Sequence, residues 1–272
     1  MGDWTPRELR FSNLGLRLMS SAILIPLGLA AVWSGGWGLA IACAVTAGVM
    51  AWEWGHISGY PRTIALIVFA ALGCLSLPLG MPTVTVAAIA AGAVFAAVGA
   101  TGGWSQRGSA AFGLLYVTLL PVSLWLLREG PWDGRAAALY FMSFVWASDA
   151  AAYFTGRGLG GPRLLPKESP NKTWSGAVGA VIACIGCGIA AADIERVPFM
   201  HWIVAGIAIS VVAQAGDLFE SGLKRRFRVK DSGTILPGHG GVMDRVDGLG
   251  AVSFVTILLF HSVPNLPEML GL

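Results

Sequence analysis

The run Ser175–Ala192, SGAVGAVIACIGCGIAAA, holds 18 residues and no charged side chain. A helix needs about 20 mostly apolar residues to cross the hydrocarbon of a bilayer, with a lower limit near 17. The run is therefore read as a membrane span, and its Gly and Ala content suits close helix packing in lipid. Eight more segments of this kind surround it. Leu16–Trp33, Trp37–Trp54, Thr63–Leu79, Thr83–Ala100, Ala111–Leu127 and Ala136–Phe154 precede it; Trp202–Leu218 and Leu249–Val263 follow. Gly80, Met81 and Pro82 alone separate the third and fourth, which predicts a tight turn. Strict alternation is absent, which argues against a β-barrel.

Composition agrees. Of 272 residues, 55% are hydrophobic and 12% charged, against about a quarter charged in ordinary soluble domains. So little charge cannot cover a soluble surface, disordered chains are richer in charge, and four Cys are too few for a secreted disulfide scaffold. The expected fold class is an all-α integral membrane protein, a polytopic bundle of about nine transmembrane helices. The first span follows the mixed-charge stretch Met1–Arg17 without a clear small-residue cleavage site, so it is expected to be retained rather than removed as a signal peptide.

Lys and Arg give the orientation. With nine spans, 15 of the 18 basic residues fall on one side: Arg7, Arg10, Arg17, Arg62, Arg107, Arg157, Arg163, Lys167, Lys172, Lys224, Arg225, Arg226, Arg228, Lys230 and Arg245. Only Arg128, Arg135 and Arg196 fall on the other. The N-terminus and the large polar loops are expected in the cytoplasm and the C-terminus on the far side. Residues 1–135, about five spans, are expected to serve packing or dimerisation. Residues 136–272, about four spans, carry the chemistry, with cytoplasmic loops 156–174 and 219–248.

Few polar residues lie in the first half. Glu53 and His56 end the second span and read more readily as an interfacial pair near the headgroups than as catalytic groups. Cys43, Cys74, Cys184 and Cys187 lie within apolar spans and read as packing residues, despite the CxxC spacing of the last two. Gly156, Gly158 and Gly161 only loosely resemble a phosphate-binding loop, no strand is expected before them, and no Walker motif exists, so a Rossmann-type nucleotide fold is rejected.

The strongest stretch begins at Asp217. Asp217, Glu220, Ser221 and Lys224 are spaced i, i+3, i+4 and i+7, so they share a face if the eighth helix continues beyond the membrane. Lys224-Arg225-Arg226, Lys230-Asp231, Pro237-Gly238-His239-Gly240-Gly241 and Asp244-Arg245-Val246-Asp247 follow. Carboxylates suit Mg²⁺, which completes its shell with water and substrate phosphates. Clustered cations suit phosphates, and glycines let backbone approach a ligand. The combination reads as metal-assisted phosphoryl or nucleotidyl transfer. A loop contacting anionic headgroups would account for Arg226 and Arg228, but not for Asp217, Asp244 and Asp247, since acids at membrane ends are costly and usually functional.

The 27 residues from Ser221 to Asp247, SGLKRRFRVKDSGTILPGHGGVMDRVD, resemble the signature of the phosphatidate cytidylyltransferase, or CDP-diacylglycerol synthase, family. A second block is similar to that family's other cytoplasmic region: Asp149-Ala-Ala-Ala152-Tyr153, Gly156-Arg157, and Ser169-Pro170-Asn-Lys172-Thr173-Trp174-Ser-Gly176. The resemblance is strong over the C-terminal half; the N-terminal spans match in length and hydropathy only. Ala151 stands where the family often has Gly, Ser175 where Glu or Gln is common, and Glu168 where an apolar residue is common.

The resemblance implies that CTP and phosphatidate form CDP-diacylglycerol and pyrophosphate. The nucleophile, a lipid phosphate, is already anionic, so the demand is for positioning and electrostatic stabilisation rather than a general base. By resemblance, Asp217 and Asp244 bind Mg²⁺, with room for a second cation. Asp247 is a third ligand, a partner of the ligands, or an ion-pair partner of Arg245 or Lys224. Lys224, Arg225 and Lys230 bind phosphates, with Ser221 and Arg245 counted among the substrate-binding residues, while Asp231 orients Lys230 or contacts the nucleotide. Lys172, with Ser169 and Thr173, contacts the triphosphate or the lipid phosphate. His239 binds a phosphate oxygen or shapes its turn. Asp149, which approaches the metal or holds a lysine, and Tyr153 are also counted among the substrate-binding residues, with a structural hydrogen bond as the alternative for each. The implied partners are CTP, phosphatidate, the bilayer of a bacterial-type cytoplasmic membrane and a second copy of the chain, with no nucleic acid. A polyprenol kinase or other lipid transferase is the nearest rival. A transporter is disfavoured because the acids cluster at one face rather than at the bilayer midplane.

Overall fold

The computed structural model describes residues 6–100, 103–236 and 240–272. Among these the chain is almost entirely helical. In order come α1 (Pro6–Ser34), α2 (Gly36–Ser58), α3 (Thr63–Leu75), α4 (Pro82–Gly99), α5 (Trp104–Glu129), α6 (Gly134–Leu159), α7 (Trp174–Glu195), α8 (Phe199–Arg226), α9 (Met243–Ser262) and the short α10 (Leu266–Leu270). The nine apolar segments map in order onto α1–α9, the third running past α3 into a 3₁₀ turn. Gly36–Ser58, Pro82–Gly99, Ser105–Glu129, Trp174–Glu195 and Phe199–Arg226 are each long and apolar enough to cross a membrane; Met19–Ser34 and Thr63–Leu79 are shorter apolar stretches. The other two, α6 and α9, are 26 and 20 residues long and carry ionisable groups toward both ends.

Helix boundaries follow local chemistry. The α3–α4 junction is a 3₁₀ turn, Leu77–Leu79, capped by Gly80 in the left-handed region (φ +67°). Pro82 then opens α4, at a position where a missing N–H costs nothing. Asp133 caps α6 by accepting the N–H of Ala136 at 3.0 Å.

The packing inverts that of a soluble bundle. In α7, Gly176, Ala180, Cys184, Gly188, Ala191 and Ala192 face inward, while Val178, Ile182, Ile189 and Ile194 are exposed. In lipid there is no hydrophobic drive to bury large side chains, and small residues instead let backbones approach. A Cβ on Gly188 would lie 2.5 Å from the Trp202 carbonyl oxygen, and one on Gly206 2.5 Å from that of Cys184. The apolar interior has two centres: one gathers Leu39, Met50, Trp54, Leu114 and Val117 with Leu223 and Met243, the other Phe141, Phe144, Trp202, Val252 and Phe260. All four cysteines are free, and the Sγ of Cys184 donates to the Phe144 carbonyl.

Two features depart from the expected outline. The loop after α6 contains an antiparallel hairpin, β1 (Arg163–Leu165) paired with β2 (Ser169–Thr173), where no strand was expected. The eighth helix runs to Arg226, eight residues beyond the apolar segment that ends at Leu218. Its polar extension packs against the hairpin and the start of α9, which brings both polar loops to one end of the bundle.

Candidate active site

Because α8 continues, Asp217, Glu220, Ser221 and Lys224 do lie along one helix. Lys224 is the hub. Its ammonium pairs with Asp244 in the first turn of α9, and lies 3.1 Å from Glu220 Oε1 one turn back on α8. Glu220 is fully buried, and neither of its oxygens receives a hydrogen bond. Asp244 also accepts the N–H groups of Gly241 at 2.8 Å and Ser232 at 3.1 Å. Burial alone would push its carboxyl up, but Lys224 and these two N–H groups outweigh that and hold it below the ordinary carboxylate value.

The second pair is Lys172 of β2 with Asp217 of α8. It joins the hairpin to the helix, as does Arg225, whose Nε donates to the Glu168 carbonyl at 3.2 Å. The Ser221 hydroxyl lies 3.5 Å from Asp217 Oδ1, a long donor contact. Asp247, one turn beyond Asp244 and before the apolar part of α9, caps the N–H of Gly248 at 2.7 Å. Removal from water and the nearby Asp217 charge push its carboxyl up to about 7. Asp149 on α6 is exposed and lies within electrostatic range of Asp217, Lys172 and Arg245.

Other expected site residues sit differently. Arg225 spends its guanidinium on backbone, donating to the Val229 carbonyl at 2.9 Å as well as to Glu168. Thr173 caps α7, its hydroxyl accepting the N–H of Gly176 at 3.2 Å. Ser169 is half-buried at the start of β2. Tyr153 is exposed and accepts from Arg157 at 2.9 Å. Lys230 and Asp231 are exposed on the loop after α8. His239 lies outside the described residues.

The description "Cytidylyltransferase family" belongs to the family profile that matches residues 15–263. The chain belongs to the cytidylyltransferase family. It is 37% identical over 266 residues to a phosphatidate cytidylyltransferase of Brucella suis, covering 94% of this chain and 97% of that one. Proteins of the same name match over shorter regions: one from Haemophilus influenzae is 37% identical over 174 residues, 58% of this chain and 59% of its own, and one from Staphylococcus aureus strain COL is 38% identical over 156 residues, 56% and 60%.

As a site in a cytidylyltransferase, the donor set suits a hard cation. No three His, Cys, Asp or Glu side chains among the described residues form a ready-made cage. Mg²⁺ does not need one, since it typically takes one or two carboxylates and fills its shell with water and phosphate. Among the described residues, Asp149, Asp217, Glu220, Asp244 and Asp247, with Glu53 beside Asp244, lie within electrostatic range of Lys172, Lys224 and Arg245. Glu220 Oε1 is met by the Lys224 ammonium alone and Oε2 has no hydrogen-bond partner, and a site so rich in carboxylates suits a further cation.

Sequence reasoning missed two participants. Tyr116 of α5 lies within range of Glu220, Asp247, Asp217 and Asp244. Glu53 of α2 was read as an interfacial partner of His56, and this is corrected. His56 lies against Trp52, the rings tilted by 48° with centroids 4.1 Å apart, and its Nδ1 lies 2.8 Å from the Trp52 carbonyl. Glu53 turns the other way and is fully buried against the loop before α9. The one available signal was an acid in an otherwise apolar helix.

Proposed function

We propose that the chain is an integral membrane phosphatidate cytidylyltransferase whose reaction takes place at the α8–α9 junction. An oxygen of the phosphatidate phosphate attacks the α-phosphorus of CTP, the bond between the α- and β-phosphates breaks, and CDP-diacylglycerol and pyrophosphate leave. The nucleophile needs no deprotonation, so the chain's work is to bring two anions together and disperse charge on the departing pyrophosphate.

One observation carries this reading above others: two lysine–carboxylate pairs, Lys172 with Asp217 and Lys224 with Asp244, sit together at the end of an apolar bundle. The full-length similarity to the Brucella suis phosphatidate cytidylyltransferase supports the choice of substrates. Asp217 and Asp244 would hold Mg²⁺, with Asp247 as a third ligand or a partner of the two, and a second cation could join it. When bound, the metal supplies positive charge to the CTP phosphates. Lys172 and Lys224 then exchange carboxylate for phosphate oxygens, and Lys230 and Arg245 extend the positive surface. The basic-residue asymmetry supports a site on the cytoplasmic side of a bacterial membrane, and the family resemblance favours a homodimer, which light scattering in detergent tests.

The test is a substrate panel with the purified full-length chain in vesicles. Radiolabelled CTP is offered with phosphatidate, diacylglycerol or a polyprenol. CDP-diacylglycerol and pyrophosphate should form with phosphatidate alone. Phosphorylated polyprenol or diacylglycerol with release of CDP would replace this reading by a lipid kinase.

A further inference from the structure

The apolar spans of the N-terminal half hold few ionisable groups, yet α2 sends one carboxylate into the signature loop. Glu53 Oε1 accepts the N–H of Val242 at 2.7 Å; Oε2 accepts the N–H of Met243 at 2.9 Å and the hydroxyl of Ser232 at 3.0 Å. These partners lie 179 to 190 residues away in sequence. A carboxylate is acceptor-only, so three converging donors suit it. The N–H groups at the start of α9 lack intrahelical acceptors and favour an anion.

Asp244 grips the same loop from the other side. Ser232 gives its hydroxyl to Glu53 and its N–H to Asp244, while Gly241, the next residue before Val242, gives its N–H to Asp244. The enclosure is tight. A Cβ on Gly233 would lie 2.9 Å from Glu53 Oε1, and one on Gly241 would lie 2.6 Å from it and collide with the Ser232 hydroxyl. Moving Glu53 therefore moves both backbone donors that, with Lys224, aim Asp244.

We propose that Glu53 is a positioning residue for Asp244, acting through Ser232 and the first turn of α9. This rests on Asp244 being a metal ligand. Loss of a group that orients a metal-binding side chain typically weakens metal affinity 10- to 100-fold. Glu53→Gln keeps the size of the side chain but sets an amide NH₂ against donors. The test is Mn²⁺ titration of the purified full-length chain, followed by electron paramagnetic resonance, with folding checked by gel filtration. Glu53→Gln and Ser232→Ala should each weaken Mn²⁺ binding about 10-fold, and Asp244→Asn at least as much. A folded Glu53→Gln protein with wild-type Mn²⁺ affinity, beside an Asp244→Asn protein that has lost it, overturns the positioning role. If Glu53→Gln does not fold, Ser232→Ala decides, and wild-type affinity there overturns it. Wild-type affinity in Asp244→Asn overturns the metal reading itself, and the positioning role with it.

Discussion

At the scale of single residues, Lys224 and its two carboxylates dominate. An ammonium taken out of water needs its partners, and removing one member of a buried pair typically costs about 3–5 kcal/mol because charge is left uncompensated. Lys224→Met strands Glu220 and Asp244 together. It should lower the melting temperature by roughly 6 °C or more, measured by thermal unfolding in detergent, as well as remove activity. Asp217→Asn and Asp244→Asn keep the size of the side chain, and in the second Lys224 retains Glu220, so both are milder for the fold, although Asp244→Asn sets an amide NH₂ against one of the donors that its carboxylate accepts. Both should lower turnover at least about 100-fold while membrane insertion and the gel-filtration profile stay unchanged; normal turnover in either would refute its assignment as a ligand. Asp217, Lys224 and Asp244 were legible in the sequence because helical spacing and clustered charge single them out. Glu53 was not, because its meaning depends on partners 179 or more residues away, and no local pattern reveals a contact of that range.

At the scale of elements, the continuation of α8 past Leu218 was conditional in the sequence and is present in the structure. Nothing breaks the helix between Leu218 and Arg226, and its last turn carries Lys224, Arg225 and Arg226, cations that suit a helix C-terminus. The hairpin was illegible for the opposite reason. Its strands are three and five residues long, lack apolar alternation and include Pro170, so they follow no strand pattern. What holds them is tertiary: the Lys172–Asp217 pair and the Arg225 bond to the Glu168 carbonyl. Arg225→Ala should loosen this element without unfolding α8. Tryptic cleavage after Lys167 in the folded chain should then speed up several-fold, with a higher KM for substrate and little change in melting temperature. Unchanged cleavage would show that the guanidinium does not tether the hairpin.

At the scale of the whole molecule, an apolar bundle gathers its two lysine–carboxylate pairs at one end. The class of fold was legible in the 12% charged share and in charge-free runs such as Ser175–Ala192. The arrangement of small residues inward and large ones outward was not, since helices apolar on every side give no directional cue. Basic-residue asymmetry predicts that tags at the N-terminus and near Lys230 report cytoplasm and a tag after Leu272 the opposite side. A cytoplasmic C-terminus would mean an even number of spans. The central claim, that carboxylates at the α8–α9 junction use a divalent cation to join CTP to phosphatidate, is tested most directly by one assay. The purified chain, stripped with EDTA in phosphatidate vesicles, is given radiolabelled CTP before and after Mg²⁺ is restored. CDP-diacylglycerol should be absent before, appear on restoration in the wild type, and stay absent in Asp217→Asn. Product formation that ignores EDTA, or that survives in Asp217→Asn, would contradict the account.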